Sequence, residues 1–125
     1  MIEDCIFCNL PEDRIIKSYN QFNIIRDLYP VTYLHSLVIP KRHVENYFDL
    51  YQEELYELNF VLKELKFDLE KIDKKISGFN IGINIGKDAG QTIFHCHIHV
   101  IPRRKGDVEK PRGGVRGVIS TKQNY

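Results

Sequence analysis

Between Asp49 and Lys75 the apolar positions recur at three- and four-residue steps: Leu55, Leu58, Leu62, Leu65, Leu69, Ile72 and Ile76. That period marks one face of a helix and predicts a helix from Asp49 to about Lys75. Its length would be about 36 Å at about 1.5 Å per residue. Asp49 followed by Gln52 reads as a capping box at the start, and Gly78 stands where a helix-terminating glycine is expected. The opposite face is rich in Glu and Lys, as a solvated surface is.

Elsewhere the apolar runs are short. Arg14 to Tyr19, Phe22 to Arg26 and Leu34 to Ile39 read as strands, the third closed by Pro40, which has no N–H for a ladder. Asp27-Leu28-Tyr29-Pro30 reads as a loop between the second and third. Phe79 to Ile85 reads as a fourth strand, Gly86-Lys87-Asp88-Ala89-Gly90 as a turn-rich loop, and Thr92 to Ile101 as a fifth strand ended by Pro102. Residues 103–125 are basic and glycine-containing with little periodicity, a C-terminal arm. Five or so strands with one long helix between the third and fourth predict a single α+β domain on an antiparallel sheet.

At 125 residues, 42% hydrophobic and 28% charged, the chain suits one soluble domain with a core. A net charge of +1 supplies no general field for nucleic acid or an anionic membrane, so phosphate recognition must be local. No run of about 18 apolar residues could span a bilayer. Met1-Ile2-Glu3-Asp4 is acidic and unlike a signal peptide, and a cytoplasmic location is expected. Cys5, Cys8 and Cys96 are an odd set, read as thiols or metal ligands and not as a disulfide framework.

The chemistry concentrates in His95-Cys96-His97-Ile98-His99. On a strand these three histidines share a face, with Cα atoms about 6.5–7 Å apart, while Cys96, Ile98 and Val100 face the core. Three adjacent imidazoles have no packing rationale, since leucine or valine would leave no ring nitrogen to satisfy. Two chemistries use such a row. The histidines can bind a metal, or one can attack phosphorus while its neighbours orient it and bind phosphate. The glycine-containing loop before them can aim backbone N–H groups at an anion, and Gln91 and Thr92 add neutral donors.

The run from Gly90 to Pro102 resembles the signature of the histidine triad (HIT) family. Cys5-Ile6-Phe7-Cys8, Pro40-Lys41-Arg42-His43-Val44 and Gly78-Phe79-Asn80-Ile81-Gly82-Ile83-Asn84 resemble its bacterial members, so the likeness covers nearly the whole chain. It implies a nucleotide hydrolase in which His97 attacks the α-phosphorus of a nucleoside phosphoramidate or dinucleoside polyphosphate, forming a covalent nucleotidyl-histidine that water cleaves. The far nitrogen of His97 would be held by a backbone carbonyl near His95. His35 and His99 would line the phosphate pocket, Gln91 would contact the phosphate bridge, and Thr92 would help the leaving group. Asn84 would lie near phosphate and ribose, Asp27 would accept the ribose hydroxyls, and Ile24 and Leu28 would wall a purine base.

The likeness further implies structural zinc on Cys5, Cys8, His43 and His95, and a homodimer with a continuous sheet of about ten strands. His99 argues against a sugar-phosphate nucleotidyltransferase branch, which lacks the third histidine. Leu34 departs from the family glycine before His35, and because leucine takes a positive φ only at a cost, a differently built turn is expected there. Ile85 stands where a polar residue is common. Arg112 and Arg116 would either bind distal phosphates or lie on a solvated tail. Two other readings remain at this stage: a nucleotide-binding regulatory protein with slow turnover, and a metal-dependent hydrolase with His95, His97 and His99 as ligands.

Overall fold

In the computed structural model, which describes residues 2–125, the strands are β1 (Ile15–Ser18), β2 (Phe22–Arg26), β3 (Ser36–Pro40), β4 (Ile76–Gly82) and β5 (Ile98–Arg104). They form one antiparallel sheet in the order β1-β2-β3-β5-β4, with a single α-helix, α1 (Gln52–Ile72), in the connection from β3 to β4. Period-2 alternation sorts the faces. Phe22, Ile24, Val38, Ile98 and Val100 point toward α1 and pack with its Leu58, Val61, Leu65 and Leu69. Ile25, Leu37 and Ile39 point the other way and pack with Phe7. Burying each such aliphatic side chain contributes about 1.5–3 kcal/mol, which pins the register.

The helix is shorter than its apolar period suggests. Its first turn begins at Gln52, where the Glu54 carboxylate accepts from the Tyr51 N–H at 2.7 Å, so the Asp49–Gln52 pair is not the box. Asp49 instead closes a 3₁₀ turn, Tyr47–Asp49, begun by Asn46. The helix ends at Ile72, which is exposed; Ile76 belongs to β4, and Gly78 lies inside that strand rather than at a helix terminus. Three residues, Asp73 to Lys75, suffice to turn from helix to strand while the 3.6 period happens to continue through them.

One of the two proline boundaries also shifts. Pro40 closes β3 as its last residue, opposite Phe22, whereas Pro102 sits inside β5, opposite Phe79. The Pro102 carbonyl faces Thr32, whose hydroxyl donates to it at 2.8 Å, so the missing N–H costs no ladder bond to β4. At its other end β5 starts late. Residues 92–97 form no strand; the Cys96 N–H donates to the Val44 carbonyl at 2.7 Å, and only His99 of the three histidines lies on β5. Among the described residues no helix is long and apolar enough to cross a membrane.

Candidate active site

The late start of β5 divides the histidines. His99 projects from the strand, whereas His95 and His97 lie on the irregular approach to it. His97 and His99 have ring centroids 5.3 Å apart, and His35, the residue before β3, continues the row 5.2 Å beyond His99. His95 is turned out of this row toward Cys5 and Cys8. The expectation that His95, His97 and His99 share one face therefore fails at His95. The three-histidine metal site fails with it: among the described residues, the clusters with converging donor atoms are Cys5, Cys8, His43, His95 and Asp27, His35, His99.

Hydrogen bonds to backbone groups fix the ring protons. The His95 carbonyl can only accept, and it lies 2.9 Å from Nδ1 of His97. Nδ1 therefore carries the proton and Nε2 keeps its lone pair. The Val31 N–H donates to Nδ1 of His35 at 3.1 Å, which places the His35 proton on Nε2, 2.9 Å from Nδ1 of His99. His99 accepts there and presents its own proton on Nε2. Burial drives His99 down to about 4, with its histidine neighbours adding to the effect, and burial also lowers His35 against the pull of Asp27. Both rings are neutral at pH 7. The protonated Nε2 of His35 is unavailable to a cation, so Asp27, His35 and His99 form a hydrogen-bonded relay and not a metal site.

These residues border a cavity of about 390 Å³ lined by Asp27, Leu28, His35, Asn84, Thr92, His97 and His99, with Ile6, Phe7 and Leu37 as apolar walls. Asp27 accepts from the Tyr29 N–H through Oδ1 and places Oδ2 3.4 Å from Nε2 of His35. Ile24 does not reach the cavity; it is buried on the helix side of β2, one position out of phase. Gln91 is buried as well. Its Oε1 accepts from the Gly86 N–H, and its Nε2 donates to the Glu45 and Ile93 carbonyls, so its amide ties two loops together. The anticipated phosphate-binding loop is closed on itself. The N–H groups of Gly86, Ala89, Gly90 and Gln91 all bond within it.

His35 reaches its place because Leu34 adopts the left-handed conformation after all, at φ 71°. The chain keeps the turn and accepts strain of about 1–2 kcal/mol. Ser36 Oγ donates to the Leu34 carbonyl and accepts from Arg26, which braces the turn.

Beside the cavity lies the second cluster. Cys5 Sγ and His95 Nδ1 are 3.3 Å apart, Cys8 Sγ and His43 Nδ1 3.2 Å, Cys8 Sγ and His95 Nδ1 3.5 Å, and the two Nδ1 atoms 3.2 Å. Tetrahedral zinc with Zn–S about 2.3 Å and Zn–N about 2.05 Å requires N···N and S···N separations of about 3.3–3.6 Å. The Pro40 carbonyl lies 2.7 Å from Nε2 of His95, which puts the ring proton there and turns the Nδ1 lone pair toward the sulfurs. The residues fit zinc. Phe7, between the two cysteines, stands edge-on to His97 and His95 at 5.1 and 6.0 Å. Neither Phe7 nor Val31 was singled out from sequence. An apolar residue inside a C-x-x-C turn was the available signal for the first, and a backbone donor leaves none for the second.

Residues 10–106 match the family model described as HIT domain. An uncharacterised HIT-like protein of Saccharolobus solfataricus is 35% identical over 102 residues, 78% of this chain and 73% of that one. The asymmetrical bis(5'-nucleosyl)-tetraphosphatase of Schizosaccharomyces pombe is 43% identical over 81 residues, 65% of this chain and 44% of that one. A Zn-bound histidine triad family protein from Mycobacterium smegmatis superposes with a TM-score of 0.74 at 38% identity, covering 83% of this chain and 78% of that structure.

Proposed function

The chain belongs to the HIT domain family, and on that premise we propose that it is a nucleotide hydrolase that cleaves at the α-phosphorus through a nucleotidyl-His97 intermediate. The observation that carries this reading is the His97 ring, with Nδ1 bound to the His95 carbonyl and Nε2 left with its lone pair at the edge of an open cavity. A neutral imidazole oriented in this way is a competent nucleophile at pH 7. The bond from Nε2 to phosphorus forms as the bond to the leaving oxygen or nitrogen breaks, and the leaving group takes a proton from solvent. Water then cleaves the N–P bond and returns a nucleoside monophosphate and a neutral ring. The His95 carbonyl stabilises the positive charge that His97 carries between the two steps. The Nε2–H of His99 donates to phosphoryl oxygen, with His35 and Val31 holding that tautomer.

Asp27 accepts ribose hydroxyls, Asn84 and Thr92 lie along the phosphate, and Leu28 with Ile6 and Leu37 covers a purine base. Gln91 acts by holding the loop that carries Gly90 and Thr92. Cys5, Cys8, His43 and His95 would hold zinc, which supplies a clip for the N-terminal turn and no step of the reaction. The edge strand β4 has an open ladder side, through which two copies would pair into a ten-stranded sheet.

The test is a rapid alkaline quench during turnover of an adenosine phosphoramidate, followed by mass spectrometry. The expected result is a nucleotidyl adduct on His97. His97→Asn should lower turnover by several orders of magnitude while nucleotide binding survives. An adduct on another residue, or near-normal turnover by the variant, removes His97 as nucleophile.

A further inference from the structure

Of the lysines and arginines, only Arg14, from the turn before β1, lines the cavity that holds His97 and His99. The arm residues Arg112 and Arg116, anticipated as distal-phosphate ligands or a solvated tail, instead stand over the Tyr125 ring at 4.3 and 4.7 Å and do not line this cavity. Among the described residues no carboxylate pairs with Arg14. Its guanidinium makes one hydrogen bond within the protein, from Nη2 to the Arg26 carbonyl at 3.1 Å. The other N–H groups of the fork are left for a ligand.

The place of the guanidinium decides which part of a nucleotide it can meet. Strand register sets Arg26, Ser36 and Val100 in one row across β2, β3 and β5. The Arg26 carbonyl therefore lies two strand spacings, about 10 Å, from the strand that carries His99. A phosphoryl group held by His97 and His99 is out of bonding reach of a guanidinium tied to that carbonyl. Asp27 and Leu28 follow Arg26 directly and line the same end of the cavity. Asp27 takes the ribose in the reading above, and Leu28 with Ile6 and Leu37 covers the base. Arg14 thus stands at the base, not at the phosphate.

Guanine and adenine share their flat faces but not their edges. O6 and N7 of guanine both accept, whereas adenine presents an N6 amino donor beside N7. An arginine fork only donates. Against guanine, two of its N–H groups find acceptors. Against adenine, one donor faces another, and between apolar walls the unpaired groups have lost their water.

We propose that Arg14 reads the O6/N7 edge of a 6-oxopurine, so that the cavity takes guanine nucleotides in preference to adenine nucleotides. This rests on the placement of the nucleotide given above and goes beyond it by naming the base. Arg14→Met keeps an unbranched side chain of similar reach and removes every donor, so it isolates the edge contact from the apolar cover.

The experiment measures kcat/KM of the full chain, wild type and Arg14→Met, on the 5'-phosphoramidates of guanosine, inosine and adenosine, and the Kd of GMP and AMP, which needs no turnover. The wild type should favour guanosine over adenosine at least about fivefold, the low end for a bidentate arginine–guanine pair. Inosine, which has the O6/N7 edge without the 2-amino group, should side with guanosine. Arg14→Met should bring guanosine and inosine down to the adenosine level, with KM carrying the change. The Arg14 Nε–H resonance should shift further with GMP than with AMP. Equal wild-type affinity for GMP and AMP, equal losses on all three bases in the variant, or an Arg14 resonance that answers both nucleotides alike overturns the assignment. Equal losses would make Arg14 a brace for the Arg26 carbonyl and nothing more. If the variant does not fold, the wild-type preference and the Arg14 resonance decide. Discrimination between GMP and AMP without any His97 adduct overturns the hydrolase reading and upholds the base assignment, whereas no binding of either nucleotide overturns both.

Discussion

The ring of Phe7 stands edge-on to the ring of His97, with centroids 5.1 Å apart and planes at 69°. Phe7 is buried in the smaller apolar cluster with Ile25, Leu37 and Ile39. The same residue thus anchors the N-terminal turn and limits the tilt of the nucleophile. Phe7→Leu keeps most of the volume and should cost less than about 1.5 kcal/mol, whereas Phe7→Ala should cost about 3–5 kcal/mol. If the edge contact positions His97, Phe7→Leu lowers kcat more than it raises KM. Unchanged kcat in a folded Phe7→Leu protein excludes the positioning role.

The turn around Phe7 is closed by the Cys5, Cys8, His43 and His95 cluster, and His95 also supplies the carbonyl that holds Nδ1 of His97. The protein as purified should contain about one zinc per chain. Chelation should lower Tm and speed the exchange of the His97 Nδ1 proton in the imidazole NMR spectrum. Activity should fall in part and not vanish, because the metal takes no chemical step. Elemental analysis without zinc, together with a Tm indifferent to chelator, refutes the clip. Complete and reversible loss of turnover would restore a catalytic metal.

Acid should weaken the relay. His99 titrates near 4 in the folded protein and near 6.5 when unfolded, so between those values the unfolded chain binds the extra proton. The stability linked to neutral His99 is full above about pH 6.5 and is lost as pH falls toward 4, by at most about 1.4 kcal/mol per pH unit. His35, lowered in the same direction by burial, adds to the slope, while Asp27 opposes it; His97 is the third group facing the ring. Urea melts at pH 7, 6 and 5 should show this fall, and His99→Gln should flatten it. Equal slopes in the two proteins contradict the assignment.

Leu34 offers a test of backbone strain. Glycine relieves a φ of 71° that alanine does not. Both substitutions lose the partly buried leucine packing, so the comparison between them isolates the dihedral. Leu34→Gly should be more stable than Leu34→Ala by about 1 kcal/mol in denaturant melts, the reverse of the usual order of these residues within strands. Alanine equal to or above glycine would mean that the turn relaxes and the strain is absent.

Much of this was visible in the residue order. The 3.6 period of Leu58, Leu65 and Leu69 marked the buried face of α1, and alternation in Phe22 to Arg26 and in Ile98 to Val100 marked the sheet. Boundaries failed where two periods overlap. Ile76 continues the helical spacing by coincidence, and Pro102 looks like a terminator until the direction of its carbonyl is known. Ile24, which the resemblance put against the base, is buried on the helix side of β2, because only packing against α1 decides which parity of a strand is inside.

The order of residues alone determined the fold class, the two-cysteine turn of Cys5 and Cys8, and the concentration of imidazoles that makes phosphorus chemistry plausible. These follow from periodicity and residue type, which are local. The tertiary structure decided that His95 faces the cysteines while His97 faces the cavity, and that Gln91 and the Gly86 loop are satisfied internally. Those outcomes depend on which backbone carbonyl or N–H meets each side chain, and residues far apart in the chain, such as Val31 with His35 and His99, or Phe7 with His97, meet only once the sheet has formed.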